Sequence, residues 1–249
     1  MARFIPHLRA RGIVPIVSVQ DPLLPLLQHL SPDTPLLGEN RSPGAFPGAF
    51  DAHCPMMSLP LALHTTLATI PAAHGYLSAD PARRAAFEAR LGPRSKPRVG
   101  LVWSGNPAHD HDHKRSLRFD QMAPVLTDAV EWVCLQKVIR ANELETVAAF
   151  GRVSTHGEVL GDFADTAGLI EALDLVITVD TSVAHLAGAM GKPVWIMITA
   201  NPDWRWGLHR TDSPWYASAR LFRQARLDDW DSVLDAVRLA LGQTFGNAG

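Results

Sequence analysis

The sequence predicts an α/β protein whose second part is a Rossmann-like domain built on a parallel sheet. Three observations support this fold class. Apolar residues make up 47% and charged residues 19%, short β-rich runs alternate with helical segments after residue 97, and one buried run passes into a helix within two residues. Strands that alternate with helices of this length form right-handed βαβ units, and these give a parallel sheet covered on both faces.

The second region carries the regular pattern. Its predicted strands are Arg98–Trp103, Trp132–Gln136, Val176–Val179 and Val194–Ile198, with a weaker one at Glu158–Leu160. Its predicted helices are Asp120–Ala129, Glu143–Phe150, Thr166–Leu173, Ser182–Met190 and a closing helix Trp230–Leu241, followed by a frayed tail over 242–249. Asp165 is the expected N-cap of the third helix, and Thr181 or Ser182 that of the fourth.

The first region has a different composition. Before residue 98 lie 14 of the 19 prolines, whereas all seven tryptophans lie between Trp103 and Trp230. The breaker-rich stretch 92–97 therefore divides the chain near residue 96, into domains 1–96 and 97–249. The first contains a helical Phe4–Arg11, a strand within Ile13–Val19, a loop over Ser42–Phe50 and a helical Leu59–Leu67. It is short for a Rossmann-like domain and is expected to be incomplete.

Composition also restricts the function. Lys and Arg number 23 against 25 Asp and Glu, a formal charge of −2, which argues against nucleic acid or an anionic membrane surface as partner. No apolar stretch reaches the length of a membrane span, and no signal-peptide core opens the chain, so a cytoplasmic location is expected. Cys54 and Cys134 are predicted to be reduced core thiols.

The most informative stretch is 173–193, in which a buried strand ends at Asp180 and a helix begins at once. In open α/β sheets, ligands bind beyond the carboxyl ends of strands, where helix N-termini present free N–H groups. Asp180, Thr181, Ser182 and His185 are therefore candidates for holding a nucleotide diphosphate. Equally open is a structural interpretation, with Asp180 as a simple N-cap and His185 as a satisfied core histidine.

Two further strand ends could contribute to the same edge. Lys137, after Gln136, could act as a positive charge on a leaving diphosphate, although a single exposed lysine is more often a solvated surface charge. Gly105 follows Ser104 and precedes Asn106, and a glycine there permits close approach of the backbone to a ligand.

The polar loop after this turn offers a weaker signal. Its residues 109–113 alternate His and Asp, but alternation in a loop does not impose metal geometry, so no metal and no cofactor are expected. Arg115, which follows, suits an oxyanion because of its forked guanidinium. Trp204, Trp206, Trp215 and Tyr216 cluster near the end of the chain, and packing an interdomain surface is favoured over stacking on a sugar or base.

Several of these motifs resemble a known family when taken in order. They are 99–107 (VGLVWSGNP), 115–117 (RSL), 135–137 (LQK), 160–166 (LGDFADT), 180–188 (DTSVAHLAG) and 202–206 (PDWRW). They resemble the catalytic region of bacterial tetratricopeptide-repeat-linked glycosyltransferases, which are similar to O-linked N-acetylglucosamine transferases and, more distantly, to ADP-heptose:lipopolysaccharide heptosyltransferases. The resemblance covers 97 to about 242 closely and implies a GT-B-like fold of two Rossmann-like domains.

The resemblance also implies an activity and a site. A sugar would pass from a nucleoside diphosphate sugar, first of all a UDP-sugar, to an acceptor hydroxyl on a protein, lipid or glycan, without a metal and with inversion. Lys137 would neutralise the diphosphate, Asp180, Thr181 and His185 would line the nucleotide site, and Gln136, Ser104 and Asn106 would lie nearby. His185 and Lys137 are the candidate catalytic residues, with His185 or a histidine of 109–113 as base.

The front of the chain departs from the family pattern. The first helix has no counterpart of the family's opening strand and Gly-Asp-containing loop before it, so an N-terminally truncated chain is expected. Two alternatives to the transferase therefore stay open: a non-catalytic nucleotide-binding or interaction module, and a sugar-nucleotide epimerase on the same fold.

Overall fold

The computed structural model describes residues 1–30, 32–40, 49–71 and 74–246. The first region contains the following helices and strands: α1 (Phe4–Ala10), β1 (Val17–Val19), α2 (Leu24–Leu27), β2 (Leu36–Gly38), α3 (Leu59–Ala62) and α4 (Pro81–Leu91). The second contains β3 (Arg98–Val102), α5 (Asp112–Arg115), α6 (Phe119–Met122), β4 (Glu131–Cys134), α7 (Leu144–Phe150), β5 (Val153–Thr155), α8 (Phe163–Glu171), β6 (Leu175–Val179), α9 (Ser182–Ala189), β7 (Val194–Ile198), β8 (Ala219–Arg223) and α10 (Trp230–Phe245).

The second region forms a six-stranded sheet in the order β5-β4-β3-β6-β7-β8. Every neighbouring pair is parallel. Counted from β3, this is the doubly wound order 3-2-1-4-5-6, in which the chain reverses its direction of travel between the first and fourth strands. The reversal falls between β3 and β6, so the carboxyl ends of these two strands flank the crevice where such sheets bind ligands.

Both faces of this sheet are covered, so β3, β6 and β7 are buried along their whole length, and apart from Arg98 and Thr178 their residues are apolar. On one face Val102, Val176 and Ile196 pack with side chains of α8 and α9. On the other face Leu101 and Ile177 pack with side chains of α6, α7 and α10. The fold class predicted for this region, an α/β fold with a parallel sheet, is confirmed.

The first region holds a two-stranded parallel sheet, β1 with β2. It also packs directly on the larger sheet's helices, because Phe4, Leu26, Leu59 and Phe87 belong to the same buried cluster as α8 and α9. The division near residue 96 stays a prediction.

Helix α4 illustrates how closely the two regions pack. The Arg83 guanidinium donates to Asp162 at 2.7 Å and to Asp165 at 2.5 Å, at the start of α8. At Gly168, one further turn along α8, an added Cβ would lie only 3.0 Å from Cβ of Arg83.

Several local predictions are wrong. The strand expected at Glu158–Leu160 is a 3₁₀ turn, and the strand lies earlier, at β5. The N-cap of α8 is Asp162, which accepts from the N–H groups of Ala164 and Asp165, while Asp165 is the reciprocal member of a capping box. The capping carboxylate of Asp162, rather than the apolar pattern that follows it, decides where α8 begins.

Other differences concern element length. The helix expected at Asp120–Ala129 ends within two turns, because Pro124 follows α6 and takes the chain into a 3₁₀ turn. Leu59–Leu67 is only partly helical, as α3 and a later 3₁₀ turn. The closing helix continues to Phe245, so its residues 242–245 are helical rather than frayed. Most of the loop predicted over Ser42–Phe50 lies outside the described residues, as do the last three residues.

The two cysteines have different environments. Cys134 is buried in β4, and burial raises the pKa of its thiol to about 12. Cys54 is exposed, so its prediction as a core thiol is wrong. Among the described residues no helix is both long enough and apolar enough to span a membrane.

Candidate functional site

The predicted site residues follow the carboxyl ends of β3, β4 and β6. Ser104 comes two residues after β3, Lys137 three after β4, and Asp180 directly after β6. Strands β3 and β6 are neighbours, whereas β4 and β6 are separated by β3. The site therefore centres on the crevice between β3 and β6, and β4 lies next to β3 on the side away from β6.

Ser104 and Gln136 hold each other and the turn after β3. Oε1 of Gln136 accepts from the backbone N–H of Trp103 at 2.9 Å and of Ser104 at 3.2 Å, and Nε2 donates to Oγ of Ser104 at 3.1 Å. Both residues are buried. They are brought together as predicted, but their polar atoms are engaged with each other and shape the floor of the site.

Arg115 joins the loop after β3 to the turn after β6. Its Nη1 donates to the backbone carbonyl oxygen of Asp180 at 2.8 Å, and its Nε donates to Asp112 at 3.3 Å. Gly105 lies against both of these side chains, since an added Cβ would contact Oδ1 of Asp112 and lie 2.8 Å from Nη2 of Arg115. The close approach of this backbone to a ligand stays a prediction.

Asp112 is the anchor of this arrangement. It is buried and accepts hydrogen bonds from Arg115, from Oγ of Ser116 at 2.9 Å and from Nη2 of Arg140 at 2.5 Å. A cavity of about 350 Å³ opens beside it, lined by Arg140 and by the polar loop 107–113. Within the described chain no three His, Cys, Asp or Glu side chains come together as metal ligands.

The amino end of α9 faces the same crevice. Its N-cap Thr181 is buried and makes no side-chain capping bond, because its hydroxyl pairs with that of Thr178 at 3.1 Å. Ser182, the first helical residue, is exposed. The N–H of Ala184 donates to the carbonyl oxygen of Thr181 at 3.1 Å. The N–H groups of Ser182 and Val183 make no hydrogen bond within the described residues and so keep their capacity to bind an anion.

Asp180 is half-buried, and burial raises the pKa of its carboxyl group above the ordinary value. The structural alternative for this residue, an N-cap, is not observed, since Thr181 occupies that position.

His185 lies one turn into α9. Its ring stacks on the indole of Trp206, with centroids 5.1 Å apart and planes 11° apart, and its Nδ1 lies 3.0 Å from the phenol oxygen of Tyr216. Burial and the nearby Arg205 guanidinium lower the pKa of the imidazole to about 4. The ring is therefore neutral at physiological pH.

The aromatic cluster packs around the first helix. The guanidinium of Arg3 is buried, 4.8 Å from the ring centre of Tyr76, 5.3 Å from that of Trp215 and 4.9 Å from that of Tyr216. This agrees with the favoured interpretation, in which these aromatics join the two regions. The same cluster also contacts His185, so it contributes to the site as well.

Two predicted residues stand apart. Lys137 is exposed, and its Nζ donates to the carbonyl oxygen of Gly161 at 2.9 Å, on the β5 side of the crevice. Asn106 is exposed and accepts from the N–H of Ala108 at 3.0 Å, which stabilises its own turn. Neither contacts Asp180 or His185 in this structure.

Three residues of the site were missed by the sequence reasoning. Asp112 was considered only as a member of the His/Asp alternation, and Arg140 and Arg205 were not singled out as site residues. A charged residue such as Asp112 at a strand–helix connection, three residues before an arginine, would have been a usable signal for an ion pair. No local pattern marks Arg140, which reaches Asp112 from the next connection.

A larger cavity of about 480 Å³ lies elsewhere, mainly where β4 and β5 begin. Its lining includes Lys96, Asp128, Arg152 and His156. It contains none of the predicted site residues.

Comparisons with known proteins identify the family. A sequence model described as glycosyltransferase family 9 (heptosyltransferase) matches residues 84–228, more than half of the chain. Protein FlbA of Caulobacter vibrioides is 31% identical over 191 residues, which are 72% of this chain and 31% of FlbA. The chain thus spans about a third of the length of this curated relative.

Solved structures show more distant likenesses. E. coli ADP-heptose lipopolysaccharide heptosyltransferase II is 16% identical with a TM-score of 0.41, covering 66% of this chain and 53% of the other. The glycosyltransferase of family 9 from Veillonella parvula is 14% identical with a TM-score of 0.49, covering 70% and 55%. The sequence match decides the assignment: the chain belongs to glycosyltransferase family 9, the heptosyltransferase family.

Proposed function

We propose that the chain transfers a sugar from a nucleoside diphosphate sugar to an acceptor hydroxyl, with the diphosphate bound at the crevice between β3 and β6. The observation that carries this proposal is the uncapped amino end of α9 at the point where the strand order reverses. Helix N-termini at this position of an α/β sheet bind phosphates. Membership of the glycosyltransferase family supplies the reaction class.

In the proposed reaction the acceptor oxygen attacks the anomeric carbon while the bond from that carbon to the diphosphate oxygen breaks. The bonding electrons stay on the diphosphate, so negative charge develops there, and the acceptor hydroxyl releases its proton to solvent water. Groups that stabilise this charge lower the barrier. We assign this role to the N–H groups of Ser182 and Val183 at the start of α9, and attack from the side opposite the leaving group gives inversion.

Lys137 is proposed to supply a mobile positive charge. It is exposed, and within the described part of the chain it is held only by a carbonyl oxygen, a bond that a lysine can exchange for a phosphate oxygen. With these protein cations and N–H groups at hand, we propose that transfer proceeds without a metal ion.

His185 is better suited to donating a hydrogen bond than to acting as a general base. A base works best when its pKa lies near the operating pH, and burial places that of His185 at about 4. A neutral imidazole can instead donate one N–H to an anionic oxygen. Asp180, which directly precedes the N-cap of α9, is proposed to contact the nucleoside part of the donor.

The first test is calorimetric titration of the chain with UDP, ADP, GDP and CDP. One of them should bind, and Lys137→Ala should weaken that binding at least tenfold, which corresponds to about 1.4 kcal/mol. The matched control is Lys96→Ala, an exposed lysine that also donates to a backbone carbonyl but precedes β3, at the opposite edge of the sheet.

A folded chain that binds none of the four nucleotides would refute the proposal, as would equal weakening by Lys96→Ala. The nucleotide that binds then selects the nucleotide sugars to offer, with UDP-sugars and ADP-heptose among them. Release of the nucleoside diphosphate that depends on an added acceptor identifies transfer. Release without an acceptor would favour epimerisation or hydrolysis, and binding without release would favour a non-catalytic module.

A further inference from the structure

A hydrogen bond links the imidazole of His185 to the phenol of Tyr216. Nδ1 of the imidazole lies 3.0 Å from the phenol oxygen, a hydrogen-bond distance in which either atom could be the donor. The ring cannot turn freely, because it stacks almost parallel on the buried indole of Trp206. The imidazole thus has a fixed plane and a fixed partner on one nitrogen.

The other nitrogen has a different environment. Nε2 makes no hydrogen bond to any residue in the described part of the chain, and it is not fully buried. It therefore keeps contact with solvent. In a neutral imidazole one nitrogen carries the hydrogen and the other accepts a hydrogen bond. The role of Nδ1 in its bond to Tyr216 therefore decides whether Nε2 is a donor or an acceptor.

Tyr216 has the chemistry of a donor in this pair. Burial raises the pKa of its phenol, so the O–H hydrogen is retained. The positive charge of Arg3 lies over its ring, which makes the phenol a better hydrogen-bond donor and a poorer acceptor. Glycine at position 188, one turn after His185, is what admits the tyrosine, since a Cβ there would lie 2.4 Å from Cγ of Tyr216.

We propose that Tyr216 is a positioning residue, whose O–H donates to Nδ1 of His185 and so holds the hydrogen of the imidazole on Nε2, where it can donate to a diphosphate oxygen of the donor. This inference rests on the proposed function, because it takes the ligand to be a nucleoside diphosphate. Besides Tyr216, the charged or polar groups around the imidazole are the side chains of Arg3, Asp203, Arg205 and Trp206 and the amino group of Met1. The two guanidinium groups outweigh the single carboxylate, which favours an anion as the group that meets Nε2.

The test reads the imidazole directly. Long-range ¹H–¹⁵N spectra of the ligand-free protein, labelled on its histidine rings, distinguish a protonated nitrogen from an unprotonated one. The His185 signals are those lost in His185→Gln. In the unmodified protein Nε2 should carry the hydrogen, and in Tyr216→Phe the two tautomers should mix. Tyr76→Phe is the control, because it removes a second phenol beside Arg3 that makes no hydrogen bond to His185.

The binding measurement is titration of the unmodified protein, Tyr216→Phe and Tyr76→Phe with UDP, ADP, GDP and CDP. Tyr216→Phe should weaken the nucleotide that binds at least fivefold, while Tyr76→Phe should leave its affinity within twofold. A hydrogen on Nδ1 in the unmodified protein overturns the inference, and that spectrum needs no variant to fold. An unchanged tautomer or unchanged affinity in a folded Tyr216→Phe protein also overturns it.

These outcomes are separable from failure of the proposed function. If the unmodified protein binds neither UDP nor ADP nor the remaining two nucleotides, the proposed function fails and this inference fails with it. If the unmodified protein binds a nucleotide and the tautomer is the wrong one, only the role of Tyr216 is lost.

Discussion

Arg115 donates a hydrogen bond from Nη1 to the backbone carbonyl oxygen of Asp180, across 65 positions of sequence and the gap between β3 and β6. This bond joins the loop after β3 to the turn that begins α9. The same guanidinium is held in place by Asp112. The hydrogen bond therefore couples the position of the loop after β3 to that of the turn before α9.

Replacing Arg115 with alanine should weaken nucleoside diphosphate binding about tenfold, because the turn at Asp180 loses its tie to the loop after β3. Arg115→Lys should recover little of this, since a lysine lacks the fork that reaches Asp112 and Asp180 together. Calorimetric titration measures both. The control is Arg118→Ala, an exposed arginine of the same loop whose ion-pair partner among the described residues is Asp120. Equal losses in the two alanine variants would contradict this prediction.

Asp112→Asn should destabilise the protein by about 1–3 kcal/mol, because it leaves Arg115 and Arg140 without their shared carboxylate. The figure is below that of a fully buried pair, since the two guanidinium groups are 24% and 30% exposed. Urea unfolding provides the measurement. The neighbouring Asp110, which is exposed, is the control, and Asp110→Asn should change the free energy of unfolding by less than about 0.5 kcal/mol.

Two glycine-to-alanine substitutions in helices should act in opposite directions. Gly188→Ala places a Cβ against the ring of Tyr216 and should destabilise the protein by about 1–3 kcal/mol through overpacking. Gly242→Ala lies inside α10, where the added carbon meets nothing within 4 Å outside its own helix in the described chain, and should stabilise the protein by about 0.5–1 kcal/mol. Urea unfolding compares the two, and a loss of stability in both would show that helix context rather than Tyr216 decides the outcome.

Glu131 should make stability depend on pH in the acid range. Partial burial raises the pKa of its carboxyl group, but hydrogen bonds from Arg98 and Ser95 outweigh this and hold it at about 2. Because the folded value lies below the ordinary 4.5, the stabilisation is complete above pH 4.5 and is lost as the pH falls towards 2.

Glu131→Gln should therefore flatten the pH dependence of the free energy of unfolding between pH 4.5 and 2. Chemical denaturation at a series of pH values gives this slope. The exposed Glu145 is the control, and Glu145→Gln should leave the slope as it is. An unaltered slope in Glu131→Gln would show that other carboxylates carry the acid sensitivity.

The central strands could be predicted because burial on both faces makes them continuous apolar runs, and β7 has the predicted bounds Val194–Ile198. Strand β8 was missed, because Arg220 and Arg223 interrupt its apolar residues at the edge of the sheet. Strand β5 was displaced for a similar reason, since two of its three residues are exposed. Edge strands carry the polar side chains that hide them from a hydrophobicity pattern.

The site was predictable to the extent that topology determines it. Parallel strands bring their carboxyl ends to one edge, so Ser104, Gln136 and Asp180 had to lie near one another. A hydrophobicity pattern does not identify the hydrogen-bond partner of each side chain. The engagement of Gln136 with Ser104, and of His185 with Tyr216 across 31 positions, follows from loop paths that no local spacing encodes.

The attachment of α1 has a consequence for how the front of the chain responds to acid. Arg3 is held by three aromatic faces and the carbonyl oxygen of Pro71, with no carboxylate among its partners in the described chain. Close to it, burial lowers the pKa of the Met1 amino group to about 6 and that of the His185 imidazole to about 4, and the positive charge of Arg3 adds to both shifts. Because these folded values lie below the ordinary 8.0 and 6.5, the protein loses stability as the pH falls below the ordinary values and each group takes up a proton. Acid therefore loosens the front of the chain by placing new positive charge beside a guanidinium that has no carboxylate to offset it.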